Sequence, residues 1–574
     1  MSITAETAKA HAHDPAVLCC RAEAGITIEP ANLEDPAIFD DLVDSGLLNL
    51  DGCLTIEEVL GAKLTKTCDS LCPLTNDVLD GVKAPTTPAE EAEEEAPAEE
   101  AAPAAPVATA ATVAGGTLKI HIGEGKDINL EIPVGALGAT GEAVAEVPAA
   151  VAATATAEAP VEETKVVGTL TRRHIKITEV KRGPETKIEG TTLYIREGIE
   201  AEVIANQELV KDFHLEIITP DQYHTYSETI MDVQPIATKE GDAILGEGAT
   251  RVLDGVVMML TGTDEGGVQI GEFGSSEGYL DENIMWGRPG CPDKGEIFIK
   301  GNIVVQEKTN MERRGPMAAH TAFDIITQEI REVMKELDDS FIVEDEELKS
   351  IRRPGKKKVV IVKEIMGQGA MHDNFILPVE PVGILGARAN VDLGNVPVCV
   401  SPLEVLDGCI HALTCIGPAS KEMSRHYWRE PLVLEALHDE EVDLCGVVFV
   451  GSPQINAEKY YVSRRVGHTV EMMDVDGAFV TTEGFGNNHI DFASHIEQIG
   501  MRGIPVVGLS FCAVQGALVV GNKYMQYMVD NNKSESGIEN EVLGCNTLCQ
   551  EEGIRALATV SYTHLRAHET LSDL

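Results

Sequence analysis

Thr414 and Cys415 stand between an apolar, helix-like run and a Gly-Pro break, in the stretch HALTCIGPASKEMSRHYWREPL from His411 to Leu432. A cysteine thiolate that reaches the carbonyl of the residue before it can attack there and convert the peptide bond to a thioester. A strained or hydrogen-bonded turn assists by stabilising the tetrahedral oxyanion. If the thioester resolves by β-elimination, the chain is cut at 414/415 and the new N-terminus is a dehydroalanine. Tautomerisation and loss of ammonia then leave a pyruvoyl ketone, an electron sink of the kind pyridoxal phosphate supplies elsewhere. On spacing alone, Thr-Cys-Ile-Gly-Pro reads as an ordinary helix end followed by a turn.

Residues nearby suit supporting roles by type. Thr414 would supply the attacked carbonyl, and His411 and His426 can deprotonate a thiol or protonate a leaving amine, although either can be a structural core histidine. Arg425 and Arg429 suit a bidentate grip on a substrate carboxylate, and Asn487, Asn488 and His489 can line a pocket. Cys68 and Cys72, like Cys545 and Cys549, are four apart, so on a helix each pair would share a face and could bind metal or exchange thiol for disulfide. Two thiols do not fill a zinc site, and His489 and His495 in HIDFASH lie far from other obvious ligands, so no metal is expected. Neither MGQGA nor VGILGARAN completes the three-glycine dinucleotide fingerprint.

The elements that must position these groups follow from hydropathy patterning. TLTRRHIKITEV and TTLYIREGIEAEVI read as alternating strands, and Gly315–Leu337 carries apolar residues at helical spacing behind an early Pro. KKVVIVKEI, VGILGARANV, VDLCGVVFVGS and IPVVGLSF are apolar strand-like runs separated by helical stretches, the pattern of an α/β domain with a mainly parallel sheet. MGQGAMHDN and EGFGNNHIDF would then sit at strand ends, where open α/β sheets bind ligands.

The fold class expected is α/β and multidomain. A Cys-containing module (1–83) precedes an Ala/Pro/Glu linker (84–116), a small tethered β-unit (117–140) and a second linker (141–164). A large-subunit region (165–414) and a small-subunit region (415–560) follow. Residues 561–574, SYTHLRAHETLSDL, break the preceding helical pattern and read as a non-native tail.

At 574 residues the chain exceeds what one core usually serves. Its 94 acidic and 45 basic residues give a formal net charge of -49, a field that repels phosphate backbones and anionic lipid and argues against nucleic acid as a partner. The basic run Arg352–Lys358 reads as a solvated loop entering a strand. No basic n-region leads into an apolar h-region, and the most apolar stretch, Ile504–Val520, is interrupted by Pro, Ser, Gln and Gly, so a cytoplasmic chain without a membrane span is expected. Its 13 cysteines should then be reduced.

Four blocks, TCIGPASKEMSRHYWREPL, GPMAAHTAFDIITQEIREVMK, VVIVKEIMGQGAMHDN and EGFGNNHIDFASHIEQIGMRGIPVVGLSF, resemble the clostridial glycine/sarcosine/betaine/proline reductase family. The resemblance runs from about Lys165 to Ala558. It implies self-cleavage at Thr414-Cys415 and a covalent pyruvoyl cofactor made from Cys415. It further implies a hetero-oligomer of the two cleaved fragments with a selenocysteine-containing reductase subunit and an electron-donor protein, since this chain has no selenocysteine. The module beginning MSITAETAKAHAHDPAVLCCRAEAG, with the Ala/Pro/Glu linkers, resembles the proline-reducing branch, so the expected substrate is D-proline, opened reductively to 5-aminopentanoate. A component B acting on glycine, sarcosine or betaine, a pyruvoyl-dependent decarboxylase, and an unprocessed scaffold paralogue with an intact 414–415 bond stay open as alternatives. No role is assigned to Cys19, Cys20, Cys53, Cys68 or Cys72.

Overall fold

The computed structural model describes residues 163–270, 277–309, 314–365, 375–385, 395–412, 423–453, 455–482, 484–518, 520–538 and 542–560, the strands at 117–122 and 128–133, and most of 3–82. Thr414, Cys415, Cys20, the loop MGQGAMHDN, most of both expected linkers and the tail 561–574 lie outside the described residues. The chain divides into two units, residues 1–83 with 161–574, and residues 84–160. In the second unit, strands Thr117–Ile122 and Ile128–Pro133 pair antiparallel as a hairpin.

Residues 3–82 gather a small core that includes Ala16, Leu18, Leu33, Ile56 and Leu74. Cys68 bonds backbone to backbone with Ala22 in both directions, which holds it extended, and Pro73 disfavours helix at Cys72. Cys545 lies in a turn opened by Gly544 at φ 81°. Neither cysteine pair shares a helix face, contrary to the helical placement considered from spacing.

The stretch 163–352 is rich in strands. In chain order these include β1 (Lys165–Lys176), β2 (Val210–Ile218), β3 (Ile230–Gln234), β4 (Ala237–Lys239), β5 (Gly248–Asp254), β6 (Val256–Asp264) and β7 (Ile297–Val305). Helix α1 (Arg314–Lys335) and strand β8 (Ile342–Arg352) follow. They form two four-stranded mixed sheets, β4-β5-β1-β8 and β3-β6-β7-β2, each with one parallel pair, β5 with β1 and β6 with β7. Expected strand character fails in TTLYIREGIEAEVI after Arg196, because Gly198 at φ 80° ends the strand and the helix Ile199–Asn206 follows. Helix α1 lays Ala318, Ala319, Ala322, Phe323, Ile326 and Ile330 on the core it shares with Phe213, Ile299 and Ile303. Gly301 lets it come close, since a Cβ there would meet the rings of Phe323 and Phe213.

The second half begins with β9 (Lys357–Ile365) and β10 (Val398–Val400), then α2 (Pro402–Leu406), α3 (Ser424–Trp428), α4 (Pro431–His438) and β11 (Val442–Gly451). Helix α5 (Asn456–Met472), β12 (Gly477–Thr482), α6 (Asn488–Gly500), β13 (Val506–Ser510) and β14 (Met528–Asp530) complete it. The sheet order is β10-β11-β9-β12-β13-β14, parallel throughout except for the edge strand β10. Alternation sorts the central strand's side chains: Val359 and Ile361 join the core containing α4, whereas Val360 and Val362 join that of α5 and α6. The five parallel strands have the doubly wound order 2-1-3-4-5, whose switch point lies at β9 and β12. Within VGILGARANV, Val382–Leu385 is a turn and not the strand expected. The Asp324 carboxylate takes the backbone N–H groups of Ile384 and Leu385 that a ladder would use.

The two halves interlock. Asp407 is buried with Lys239 at 2.6 Å and Thr250 at 2.6 Å, and Arg172 of β1 donates to the carbonyl of Trp428 at 2.7 Å and stacks on its ring. Arg352 and Arg353 donate to carbonyls of residues 437–445, and Lys356 and Lys358 pair with Glu441 and Asp474. The run does enter β9 at Lys357, but it is not the solvated loop expected, because Arg352 ends β8 and Arg353 is buried. No described helix is long and apolar enough to cross a membrane.

Candidate active site

His411 and Ala412 are the last described residues before segment 413–422, and Met423 and Ser424 are the first after it. Ser424 Oγ accepts from the Ala412 amide at 2.9 Å, so one hydroxyl joins the two ends. That hydroxyl donates to Asp232 Oδ2 at 2.7 Å, and the Ser424 amide donates to Oδ1 at 2.9 Å. Asp232 comes from β3, where its neighbours Met231 and Val233 are also buried. Gln234 on the same strand donates to Asp232 Oδ2 at 2.8 Å and lies 3.1 Å from His411 Nε2. His320 of α1 completes the group, its Nε2 3.7 Å from Asp232 Oδ2, with His411 Nε2 at 3.8 Å.

Asp232, His320 and His411 are all fully buried. Burial pushes the Asp232 carboxyl up to about 7 against the bonds from Ser424 and Gln234, and lowers His320 to about 4 against the pull of the Pro316 carbonyl. His411 falls well below the usual histidine range, by burial and then by the nearby His320 and Arg331. Both imidazoles are therefore neutral at physiological pH, and the cage carries little net charge.

Helix α3 leads from this cage to the carboxyl edge of the parallel sheet. Glu430, two residues past it, pairs with Lys363 of β9 at 2.8 Å, and Lys363 also donates to Thr481 of β12 at 3.3 Å. On the other face of the sheet, Glu364 Oε2 stands 3.6 Å from His495 Nε2 of α6. Lys459 of α5 bonds Asp491 of α6 and donates to Ser452 at 3.1 Å, where Asn488 also donates at 3.0 Å. His489 Nε2 meets Ser510 Oγ at 2.9 Å, while its Nδ1 has no hydrogen-bond partner among the described residues. Burial lowers His489 to about 4 and His495 to about 3, the latter helped by Lys459. These groups cluster beside the switch point, the place where a doubly wound sheet receives a ligand.

The residues singled out from sequence therefore fall into two groups. His411 is in the cage and Thr414 and Cys415 lie outside the described residues, within three and four residues of it. His426 is buried in α3, packed near Gly290. Asn488 and His489 face the sheet edge and Asn487 is exposed. Arg425 is already committed to Glu296 through two bonds of 2.6 Å, and Arg429 reaches Asp293 at 2.7 and 3.1 Å. That pairing leaves Arg425 no open fork for a substrate carboxylate, which corrects its expected role. Sequence reasoning missed Asp232, Gln234, His320 and Ser424, and it missed Lys363 and Glu364 although two charges inside the apolar strand KKVVIVKEI were a usable signal.

A family model of glycine/sarcosine/betaine reductase component B subunits matches residues 169–518. The D-proline reductase proprotein PrdA of Acetoanaerobium sticklandii is 68% identical over 569 residues, 97% of this chain and 90% of that protein. The glycine reductase complex component B subunits alpha and beta of the same organism are 24% identical, covering 59% of this chain and 77% of theirs. The sarcosine reductase complex component B subunit alpha of Peptoclostridium acidaminophilum is 24% identical over 58% of this chain and 77% of its own. No solved structure matches significantly. The chain belongs to the clostridial reductase family that joins these component B subunits with the D-proline reductase proprotein.

Proposed function

We propose that this chain is a proprotein that cleaves itself between Thr414 and Cys415 and becomes the pyruvoyl-bearing subunit of a D-proline reductase, yielding 5-aminopentanoate. The 68% identity to a proprotein of that name supports the substrate and the processing. The Ala412–Ser424–Asp232 clamp is the observation that carries the reading. Thr414 is three positions along the chain from His411, a reach of at most roughly 11 Å between Cα atoms. The buried acid and neutral imidazoles beside His411 support assigning the processed bond to this cage.

The residues present fit a ketone generated in place. His411 and Ile410 pair with Phe375 and Ile376 on one side of the cut, and α3 is buried on the other, so both chain ends stay anchored after scission. The pyruvoyl ketone would accept the ring amine of D-proline and draw electrons from its carbon–nitrogen bond. Asp232 holds Ser424, and through it the Ala412 amide, in a fixed place. His411 and His426 are assigned proton transfer on either side of the segment. Asn488 and His489 are assigned to the substrate's polar groups at the sheet edge. The selenolate that opens the ring comes from a separate selenocysteine-containing subunit, in keeping with relatives that are components of reductase complexes. The site is reached from the cytoplasm.

The denatured mass of the purified chain tests this. Two fragments meeting at 414/415, the C-terminal one lighter than a Cys-initiated peptide and reactive toward hydroxylamine, are expected, together with conversion of labelled D-proline when the complex is assembled. One full-length mass under maturing conditions refutes the processing, and release of labelled carbon dioxide refutes the reductase in favour of a decarboxylase.

A further inference from the structure

We propose that Asp232, His320 and His411 bind one divalent first-row transition-metal ion of the zinc or ferrous type. Their ligand atoms lie within 4.8 Å of one another and all three residues are buried. The argument begins at His320. Its Nδ1 lies 2.8 Å from the Pro316 carbonyl, which only accepts, so Nδ1 carries the proton and Nε2 presents a lone pair. That lone pair has no hydrogen-bond partner among the described residues and faces the Asp232 carboxylate oxygen at 3.7 Å. Two acceptors aimed at each other in a buried space repel unless something positive stands between them.

His411 Nε2 stands 3.8 Å from the same oxygen and accepts from the Gln234 amide at 3.1 Å, a bond that an ion would replace. Three acceptors on three elements, β3, α1 and the end of the strand Ile410–His411, thus converge on one point. Atoms 3.7 and 3.8 Å apart subtend roughly 125° at an ion ~2.1 Å from each, so the cage must contract slightly to reach a tetrahedral or facial set. The surrounding bonds match what metal-bound histidines and carboxylates receive: a backbone carbonyl on His320 Nδ1, and Ser424 and Gln234 on Asp232. Arg331 and Asp324 nearby neutralise one another at 2.9 Å, so one carboxylate and two neutral imidazoles face the ion. That donor set selects zinc, ferrous, cobalt or manganese ions over magnesium or calcium.

The ion site stands independently of the processing reading. One consequence rests on that reading: an imidazole whose lone pair holds an ion cannot take a proton, which leaves proton transfer beside the segment to His426.

The full chain, stripped with chelator and dialysed against zinc, ferrous, cobalt and manganese ions in turn, tests the proposal by elemental analysis. About one equivalent of at least one ion is expected, together with a tetrahedral or five-coordinate visible spectrum for the cobalt form. His320→Gln should lose the ion, whereas His224→Ala, which removes the exposed His224, Asp281 and Glu282 group, should keep it. If His320→Gln does not fold, X-ray absorption on the unsubstituted chain decides, with two imidazole nitrogens in the ion's shell expected. No bound ion, an all-oxygen shell, or loss of the ion in His224→Ala overturns the site. Denatured mass of the same samples reports processing separately: cleaved, metal-free chain sinks the ion site alone, and metal-loaded, uncleaved chain sinks the processing alone.

Discussion

Ser424 gives Asp232 two hydrogen bonds, from its amide to Oδ1 at 2.9 Å and from its hydroxyl to Oδ2 at 2.7 Å, across 192 residues of sequence. The same hydroxyl accepts from the Ala412 amide, so a single oxygen couples a carboxylate of β3 to both ends of the segment bearing Thr414 and Cys415. Ser424→Ala would leave the Ala412 amide and one carboxylate oxygen without that partner in a dry environment, at a cost of about 1–3 kcal/mol. The expected outcome is a chain that folds with a lowered melting temperature and processes on the order of 10-fold more slowly, followed by denatured mass over time. Unchanged processing in a folded variant removes the clamp from the maturation step.

The Lys363–Glu430 pair is fully buried and joins α3 and α4 to the central strand of the parallel sheet. Lys363→Met strands Glu430 in the core and should cost about 3–5 kcal/mol in denaturant unfolding. Lys363→Met with Glu430→Gln removes both charges and should recover part of that loss. If the double variant is no more stable than the single, the stranded charge is not the cause.

Strand β9 was legible because Lys357–Ile365 is a run of β-branched residues whose two faces both meet apolar partners. Helix α1 was legible within two residues of each end, because its apolar stripe repeats at helical spacing. The cage was not legible. Asp232, His320 and His411 share no local pattern, and only the folding of α1 over Gly301 and the pairing of β3 with β6 bring them together. Arg425 and Arg429 looked free in sequence for the converse reason: their partners Asp293 and Glu296 lie more than 120 residues earlier in the chain.

His174 on β1 contacts Asp254 at 2.9 Å and Glu346 at 3.7 Å, and these bonds raise it to about 9, while Glu346 is lowered to about 2, first by His174 and also by Arg172. The raised histidine adds stability that is fully present below its unfolded value of ~6.5 and fades as pH rises through about 9. The lowered glutamate adds stability present above ~4.5 and lost as pH falls toward about 2. Both describe one shared cluster, so the two contributions do not add. The melting temperature of the full chain should exceed that of His174→Gln between about pH 5 and 6.5, with the gap closing by about pH 9.5. A gap independent of pH assigns His174 to packing.

His489 tests the sheet edge apart from the cage. It is buried on α6 with Nε2 on Ser510, and burial holds it neutral with Nδ1 unbonded by any described residue. A neutral imidazole with one nitrogen fixed and the other open suits hydrogen bonding to a substrate at the switch point. His489→Ala should then lower D-proline turnover on the order of 100-fold, while the processed fragment masses stay as in the unsubstituted chain because the Ala412–Ser424–Asp232 clamp is untouched. Ser510→Ala removes the bond that orients the ring, together with the 3.2 Å bond from Ser510 Oγ to the Gly484 carbonyl, and should cost less, mainly in turnover and little in KM. Loss of processing in His489→Ala would merge the two groups into one site, and full turnover with full processing would make His489 a core histidine satisfied by Ser510.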